Sequence, residues 1–272
     1  MGRKVTFSLF LAVVICCPVA TALAGVQKTI PDVPSYKWYG GCGPTAGGMV
    51  TGYWDAHGYP NLIPDANNTW YGNPSDWPGG DSNRDPVHAM IASAGYFTDW
   101  WPTPDRTPPP PLHADDCLAD FMWTSRAPMA QGWSYDSMQG VGLTDYAKYR
   151  GYPSATSSRS YFDDLWAVLV AEIDANRPME FYVDSTADGT PDHFVTVVGY
   201  DDTTAALKYG AYNTYDFVVH WYSFDVPASG RAYGVESGTT FNPVPEPATM
   251  ALLGLGGALL AFRRNRRAAR GL

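Results

Sequence analysis

The chain has 272 residues, with 18 Lys and Arg against 27 Asp and Glu, a formal net charge of −9 and 14% aromatic residues. That length fits one medium-sized domain with a real core, once targeting segments at the two ends are set aside. A charged fraction of only 17% alongside so many aromatics excludes a disordered chain, and the acidic balance excludes a nucleic-acid partner, which needs a basic footprint.

Met1 to Ala24 opens with Arg3 and Lys4, runs through an apolar stretch from Val5 to Ala20 and closes on Ala22-Leu23-Ala24. A basic start, a short apolar core and a small-x-small end predict a cleavable signal peptide over residues 1–24, with signal peptidase cutting after Ala24. The apolar run is shorter than the ~20 residues of a membrane span. Cys16 and Cys17 leave with it.

Residues 25–243 are expected to form the domain. A helix is predicted from Gly43 to His57, where Met49, Val50, Tyr53 and Trp54 share a helical face, Pro44 suits the first turn and Gly58 the stop. Ile63 to Arg84 and Trp101 to Asp115, the latter with Pro108-Pro109-Pro110-Pro111, read as surface loops. A second helix opens at Ser160 and Asp163, carries the stripe Phe162, Leu165, Trp166, Leu169, Val170 and Ile173, and ends at Asn176 and Pro178. Short strands follow at Met179 to Val183, His193 to Tyr200, Leu207 to Tyr212, Phe217 to Phe224 and Arg231 to Phe241. Helices before an antiparallel sheet make an α+β domain.

The mature chain keeps Cys42 and Cys117. In an oxidising compartment two cysteines can read as one disulfide. Their surroundings differ, however. Cys42 sits in Gly40-Gly41-Cys42-Gly43-Pro44-Thr45 at a helix start, where backbone N–H groups and the dipole favour a thiolate. Cys117 lies among Asp115, Asp116 and Asp120, whose charges oppose ionisation. Cys42 is therefore the candidate nucleophile. A base and an orienting group are needed beside it. His193 begins the strand His193-Phe194-Val195-Thr196-Val197-Val198-Gly199-Tyr200, and Asn213 follows the next strand, with Asp216 as the fallback orienter.

Asp184-Ser185-Thr186-Ala187-Asp188-Gly189 imitates the start of a calcium loop, but Val195 stands where the bidentate Glu is required, so a β-turn is expected. His57, His88, His113 and His220 show no metal-ligand spacing. No metal or cofactor is expected.

The segments Gly41-Cys42-Gly43-Pro44-Thr45-Ala46 and Asp192-His193-Phe194-Val195-Thr196-Val197-Val198-Gly199-Tyr200-Asp201, followed by the Asn213 strand, resemble the papain-like cysteine peptidases, most of all the bacteriocin-processing (double-glycine leader) peptidase-like group. The resemblance implies a nucleophile-bearing helix packed on an antiparallel sheet that supplies His193 and Asn213, and cleavage of peptide bonds in a peptide or protein substrate by Cys42, His193 and Asn213. Papain-like enzymes usually complete the oxyanion hole with a Gln shortly before the nucleophile, and Val33 to Gly41 contains none. Gln27 is too distant; Trp38 N–H, the Tyr36 hydroxyl or backbone N–H groups are the expected substitutes. The rival reading is a catalytically weak or inactive envelope module, in which Trp70, Trp77, Trp100 and Trp101 stack on extracellular polysaccharide.

Residues 244–272 form the tail. Val244-Pro245-Glu246-Pro247 precedes an apolar stretch from Ala248 to Phe262 and a basic end of Arg263, Arg264, Arg266, Arg267 and Arg270. With Val244 and snorkelling arginines, the apolar stretch just reaches the length of a short transmembrane helix. Arginines stay cytoplasmic, which puts the domain on the outer side of the inner membrane. The tail resembles a PEP-CTERM sorting signal, which implies processing by an exosortase and delivery to the envelope or exterior of a Gram-negative cell; the alternative is a plain tail anchor.

Overall fold

The glycine-rich run after Gly41 forms helix α1 (Cys42–Ala56) in the computed structural model, which describes residues 25–63, 86–100, 114–126 and 128–244. The segment expected as a signal peptide, the tail beyond Val244 and most of the two long loops lie outside the described residues. The sequence predicts one buried face for α1, yet the helix is buried on nearly every side. Small residues permit this. A Cβ on Gly47 would come within 2.5 Å of Met122 Cε and 2.9 Å of Glu180 Oε1, so neighbours approach the helix where its side chains are missing. Met49 and Val50 join the cluster formed with Tyr36, Ile91 and Leu143, while Tyr53 joins the cluster on the sheet.

Around α1 lie α2 (Pro86–Ile91), α3 (Ala94–Trp100), α4 (Leu118–Phe121) and α5 (Asp136–Tyr149). The strands are β1 (Gln27–Thr29), β2 (Thr156–Tyr161), β3 (Met179–Asp184), β4 (His193–Asp201), β5 (Lys208–Tyr212), β6 (Val219–Ser223) and β7 (Gly234–Asn242), in the order β2-β7-β3-β4-β5-β6. Every pairing is antiparallel, and β1 takes over from β3 beside the far end of β4. The molecule is thus α+β, with every strand expected from sequence present. The last one starts later than expected, because Tyr233 adopts a left-handed φ of 63 and holds the chain in a turn until Gly234.

Helix α6 (Phe162–Asp174) covers one face of the sheet, with Leu165, Leu169 and Ile173 fully buried against Phe181, Val183, Val195 and Val197. Burial of each such side chain contributes roughly 1.5–3 kcal/mol. Ser160, expected to open this helix, belongs instead to β2, and Tyr161 takes the N-cap without a side-chain hydrogen bond. The helix ends as expected at Asn176, φ 55, and Arg177 locks the end by donating to both carboxylate oxygens of Glu172, at 2.7 and 2.6 Å.

On the other face lie α1 and α5. Thr196 Oγ1 donates to Ala46 O at 2.9 Å, and Ser237 Oγ to Asp136 Oδ1 at 2.9 Å. Beneath α1 sits Glu180, 1% exposed, neither of whose carboxyl oxygens has a hydrogen-bond partner among the described residues. Burial holds its carboxyl well above the usual range, and the charge of Asp136 adds in the same direction. The fold therefore accommodates the neutral acid. Its stabilising share is complete below the unfolded-state value of about 4.3 and is lost as pH rises through the higher folded value. Melting temperatures should accordingly fall with rising pH more steeply in the wild type than in Glu180→Gln; parallel curves would mean that this group does not titrate in the folded protein.

Candidate active site

The segment before α1 is tied down at several points. Trp38 N donates to Thr214 O at 2.7 Å, while Thr45 Oγ1 donates to Gly41 O at 2.6 Å and receives Tyr39 N at 2.9 Å. These bonds fix the extended N-cap Gly41 and place Cys42 as the first helical residue. Pro44 has no N–H to leave unpaired in the first turn. Burial, the largest influence on the Cys42 thiol, pushes it up to about 11; the N–H groups of Phe194, Gly43 and Cys42 itself oppose this, and Asp192 adds to the rise. The thiolate expected from the helix start is therefore corrected. The helix terminus is in place, but withdrawal of a 9% exposed side chain from water outweighs it.

His193, at the start of β4, is 4% exposed. Its Nε2 lies 2.8 Å from the backbone carbonyl of Asn213 and 3.2 Å from Thr214 Oγ1. A carbonyl only accepts, so Nε2 carries the proton and Nδ1 is left as the basic nitrogen. The Tyr215 ring stacks on the imidazole at 4.8 Å and 7°, with its hydroxyl 3.5 Å from Nδ1. Burial, the first cause, lowers the His193 pKa, while the Asn213 carbonyl and Asp192 oppose the fall.

The structure brings Asn213 to His193 through the backbone. Its side chain closes the turn after β5: Oδ1 accepts Tyr215 N at 2.9 Å and Asp216 N at 3.3 Å, and Nδ2 donates to Tyr222 OH at 3.4 Å. Thr214, fully buried, holds a left-handed φ of 67, a strained conformation for a β-branched residue and one that sites of function often retain. Asp216, the fallback orienter, pairs with His220 Nε2 at 2.9 Å.

Cys42 and His193 line one cleft of about 260 Å³, together with Trp38, Gln131, Gly132, Trp133, Ser185, Thr186, Asp192 and Tyr215. Gln131, Trp133 and Tyr215 were not legible from the sequence, since none has a spacing relation to Cys42 or His193. Of the expected oxyanion substitutes, the Tyr36 hydroxyl is excluded: Tyr36 is fully buried, its OH 2.5 Å from where a Cβ on Gly52 would stand, far along α1. The Trp38 backbone N–H is committed to Thr214, which leaves only its indole in the cleft.

Cys117 is a free thiol in a different cluster from Cys42, also free. Its Sγ donates to Asp120 Oδ2 at 3.0 Å; burial first, and Asp120 second, hold its pKa well above the ordinary value. In the loop after β3, the Asp184 carboxylate accepts Gly189 N at 2.6 Å and Asp188 N at 3.3 Å, which makes it a turn that delivers Ser185 and Thr186 to the cleft. His57 stacks on Tyr53 and His88 on Tyr39. Among the described residues no three His, Cys, Asp or Glu side chains cluster as metal ligands. Trp70, Trp77, Trp101, His113 and the Trp100 side chain lie outside the described residues.

Among solved structures, the active wild-type interpain A cysteine protease of Prevotella intermedia is similar at 14% identity and TM-score 0.40, over 81% of this chain and 91% of that one. SERA5E from Plasmodium falciparum is similar at 10% identity and TM-score 0.33, over 79% and 91%. No curated protein matches the chain. Among the described residues no helix is long and apolar enough to cross a membrane, and the expected tail helix lies outside them. Residues 243–267 match the PEP-CTERM protein-sorting motif, a signal that implies export and processing by an exosortase.

Proposed function

We propose that the chain is an exported thiol hydrolase of papain-like architecture that cleaves amide bonds in peptides, with Cys42 as nucleophile and His193 as base and acid. The observation that carries this reading is the shared cleft, in which a helix-start cysteine meets a histidine whose Nε2 is already committed to a carbonyl. As Sγ attacks the carbonyl carbon, Nδ1 takes the thiol proton; it then returns that proton to the leaving amine, and water hydrolyses the thioester. Asn213 fixes the tautomer through its backbone oxygen. A signal peptide over 1–24 and the tail over 244–272 would deliver the domain, residues 25–243, to the envelope.

A second reading has one observation in its favour. Trp38 and Trp133, each 46% exposed, flank the same cleft and offer stacking faces to a sugar. Full-length protein incubated with a peptidyl epoxide probe, digested and mapped by mass spectrometry separates the two. Modification of Cys42, lost on prior denaturation, is the expected result. A native protein that leaves Cys42 unmodified while retaining affinity for polysaccharide would establish the binding module instead.

A further inference from the structure

We propose that Gln131 is a catalytic residue of this cleft, its carboxamide N–H donating to the oxygen of the scissile carbonyl as the Cys42 thiol adds to it. The proposal rests on the Cys42–His193 reading and assigns the one role that pair leaves unfilled. When the S–C bond forms, the carbonyl π pair moves onto oxygen and the thiol proton moves to His193 Nδ1. When the carbonyl re-forms, the C–N bond breaks and that proton goes to the amine. The transient negative oxygen needs donors fixed in advance, and Pro44 leaves the first turn of α1 few to give.

The loop that carries Gln131 is bound to the nucleophile's own segment by a buried relay. Gly40 O accepts from Tyr96 OH at 3.0 Å, Tyr96 OH lies 2.7 Å from Ser125 Oγ, and Ser125 Oγ accepts Gly132 N at 2.8 Å. Ser125 N in turn donates to Trp133 O at 2.8 Å. Contact closes the arrangement: a Cβ on Gly41 would lie 2.8 Å from Gly132 O, and one on Gly132 would lie 2.9 Å from the Trp38 ring. Residues next to Cys42 and next to Gln131 therefore touch without side chains between them, and Gly132 accepts the left-handed φ of 78 that this requires.

Within the loop, the two backbone donors that follow Gln131 are already used. Gly132 N goes to Ser125 and Trp133 N to Ala130 O at 3.1 Å. Ser185 and Thr186, which also line the cleft, stand beside Asp192, whose Oδ1 accepts Ser185 N at 2.7 Å, a setting hostile to a second negative oxygen. Gln131 is exposed, uncharged, and the sole carboxamide among the described residues that line the cleft. A carboxamide donates without titrating, so it serves at any pH at which His193 is a base.

In full-length protein, turnover of the peptidyl-aminomethylcoumarin substrate that wild type cleaves fastest should fall ~10²- to 10³-fold in Gln131→Ala, with KM changed less than threefold. Alkylation of Cys42 by iodoacetamide should keep its wild-type rate, because displacement of iodide builds no negative charge on a carbonyl oxygen. Affinity for a peptide aldehyde, whose hemithioacetal oxygen occupies the same place, should fall with turnover. Gln131→Ala at wild-type turnover, or a loss matched by slower alkylation, overturns the proposal while leaving the thiol reading intact. Wild-type turnover that survives Cys42→Ala overturns both.

Discussion

Cys42→Ala and His193→Ala should each lower amide turnover by on the order of 10⁴ to 10⁶, and the double variant should be no worse than either single. The thiol is neutral at rest, so without Nδ1 to take its proton it is a poor nucleophile; without the thiol, Nδ1 has nothing to activate. Two groups that act only as a unit cannot be removed twice. Steady-state rates for the three variants, with circular dichroism melts to establish folding, measure this directly. Effects that multiply would mean that the residues act independently, and the shared-pair reading would fail. Asn213→Ala offers the contrast. The carbonyl that holds His193 remains, and what goes is the side chain that closes the turn through Tyr215 N and Asp216 N. A loss of about tenfold, the worth of one positioning hydrogen bond, is expected. Asp216→Ala should cost less, since its carboxylate serves His220.

How much of this was legible depends on whether a signal is local. α6 and the strands after it announce themselves because their apolar spacing repeats along the chain, and the same packing that buries Leu165, Leu169 and Ile173 makes the stripe visible. Cys42 and His193 were legible because each sits at the end of such an element. α5 was not. Its sequence, with Gly140 and Gly142 inside it, has poor helix propensity, and those glycines are there for tertiary reasons: a Cβ on Gly142 would lie 2.4 Å from Met122 Cγ. β2, TSSRSY, is a polar edge strand whose Ser160 mimics a helix cap. Gln131 was invisible for a stronger reason: its loop reaches the Cys42 segment only through tertiary contacts between segments distant in sequence, the Tyr96 and Ser125 relay and the packing of Gly132 on Gly41. The Asn213 contact was half legible, because the sequence places the residue but cannot say that its backbone rather than its side chain faces the imidazole.

The rate of Cys42 alkylation by iodoacetamide should climb with pH toward about 11 and show no plateau in the acid range. At pH 7 such a thiol is ionised to about one part in 10⁴, against a few per cent for an ordinary thiol of ~8.5, so Cys42 should react on the order of 10²-fold more slowly than free cysteine. Cys117, fully buried and opposed by Asp120, should be slower still. Burial lowers the His193 pKa, so its imidazole is neutral at pH 7 and above. The pair therefore rests as thiol and imidazole, and the proton moves only when a carbonyl is attacked. Activity follows with a definite sign. It rises as pH climbs through the lowered His193 value, because protonated imidazole cannot act as base. It holds through neutrality and falls as Cys42 ionises near 11, because the proton needed by the leaving amine is then gone. A thiolate–imidazolium pair gives the opposite pattern, with alkylation already level by about pH 5 and declining activity once the imidazolium loses its proton above neutrality. Measured alkylation that is flat from pH 5 to 8 would establish that pair and show that the helix terminus and the N–H groups of Phe194 and Gly43 overcome burial.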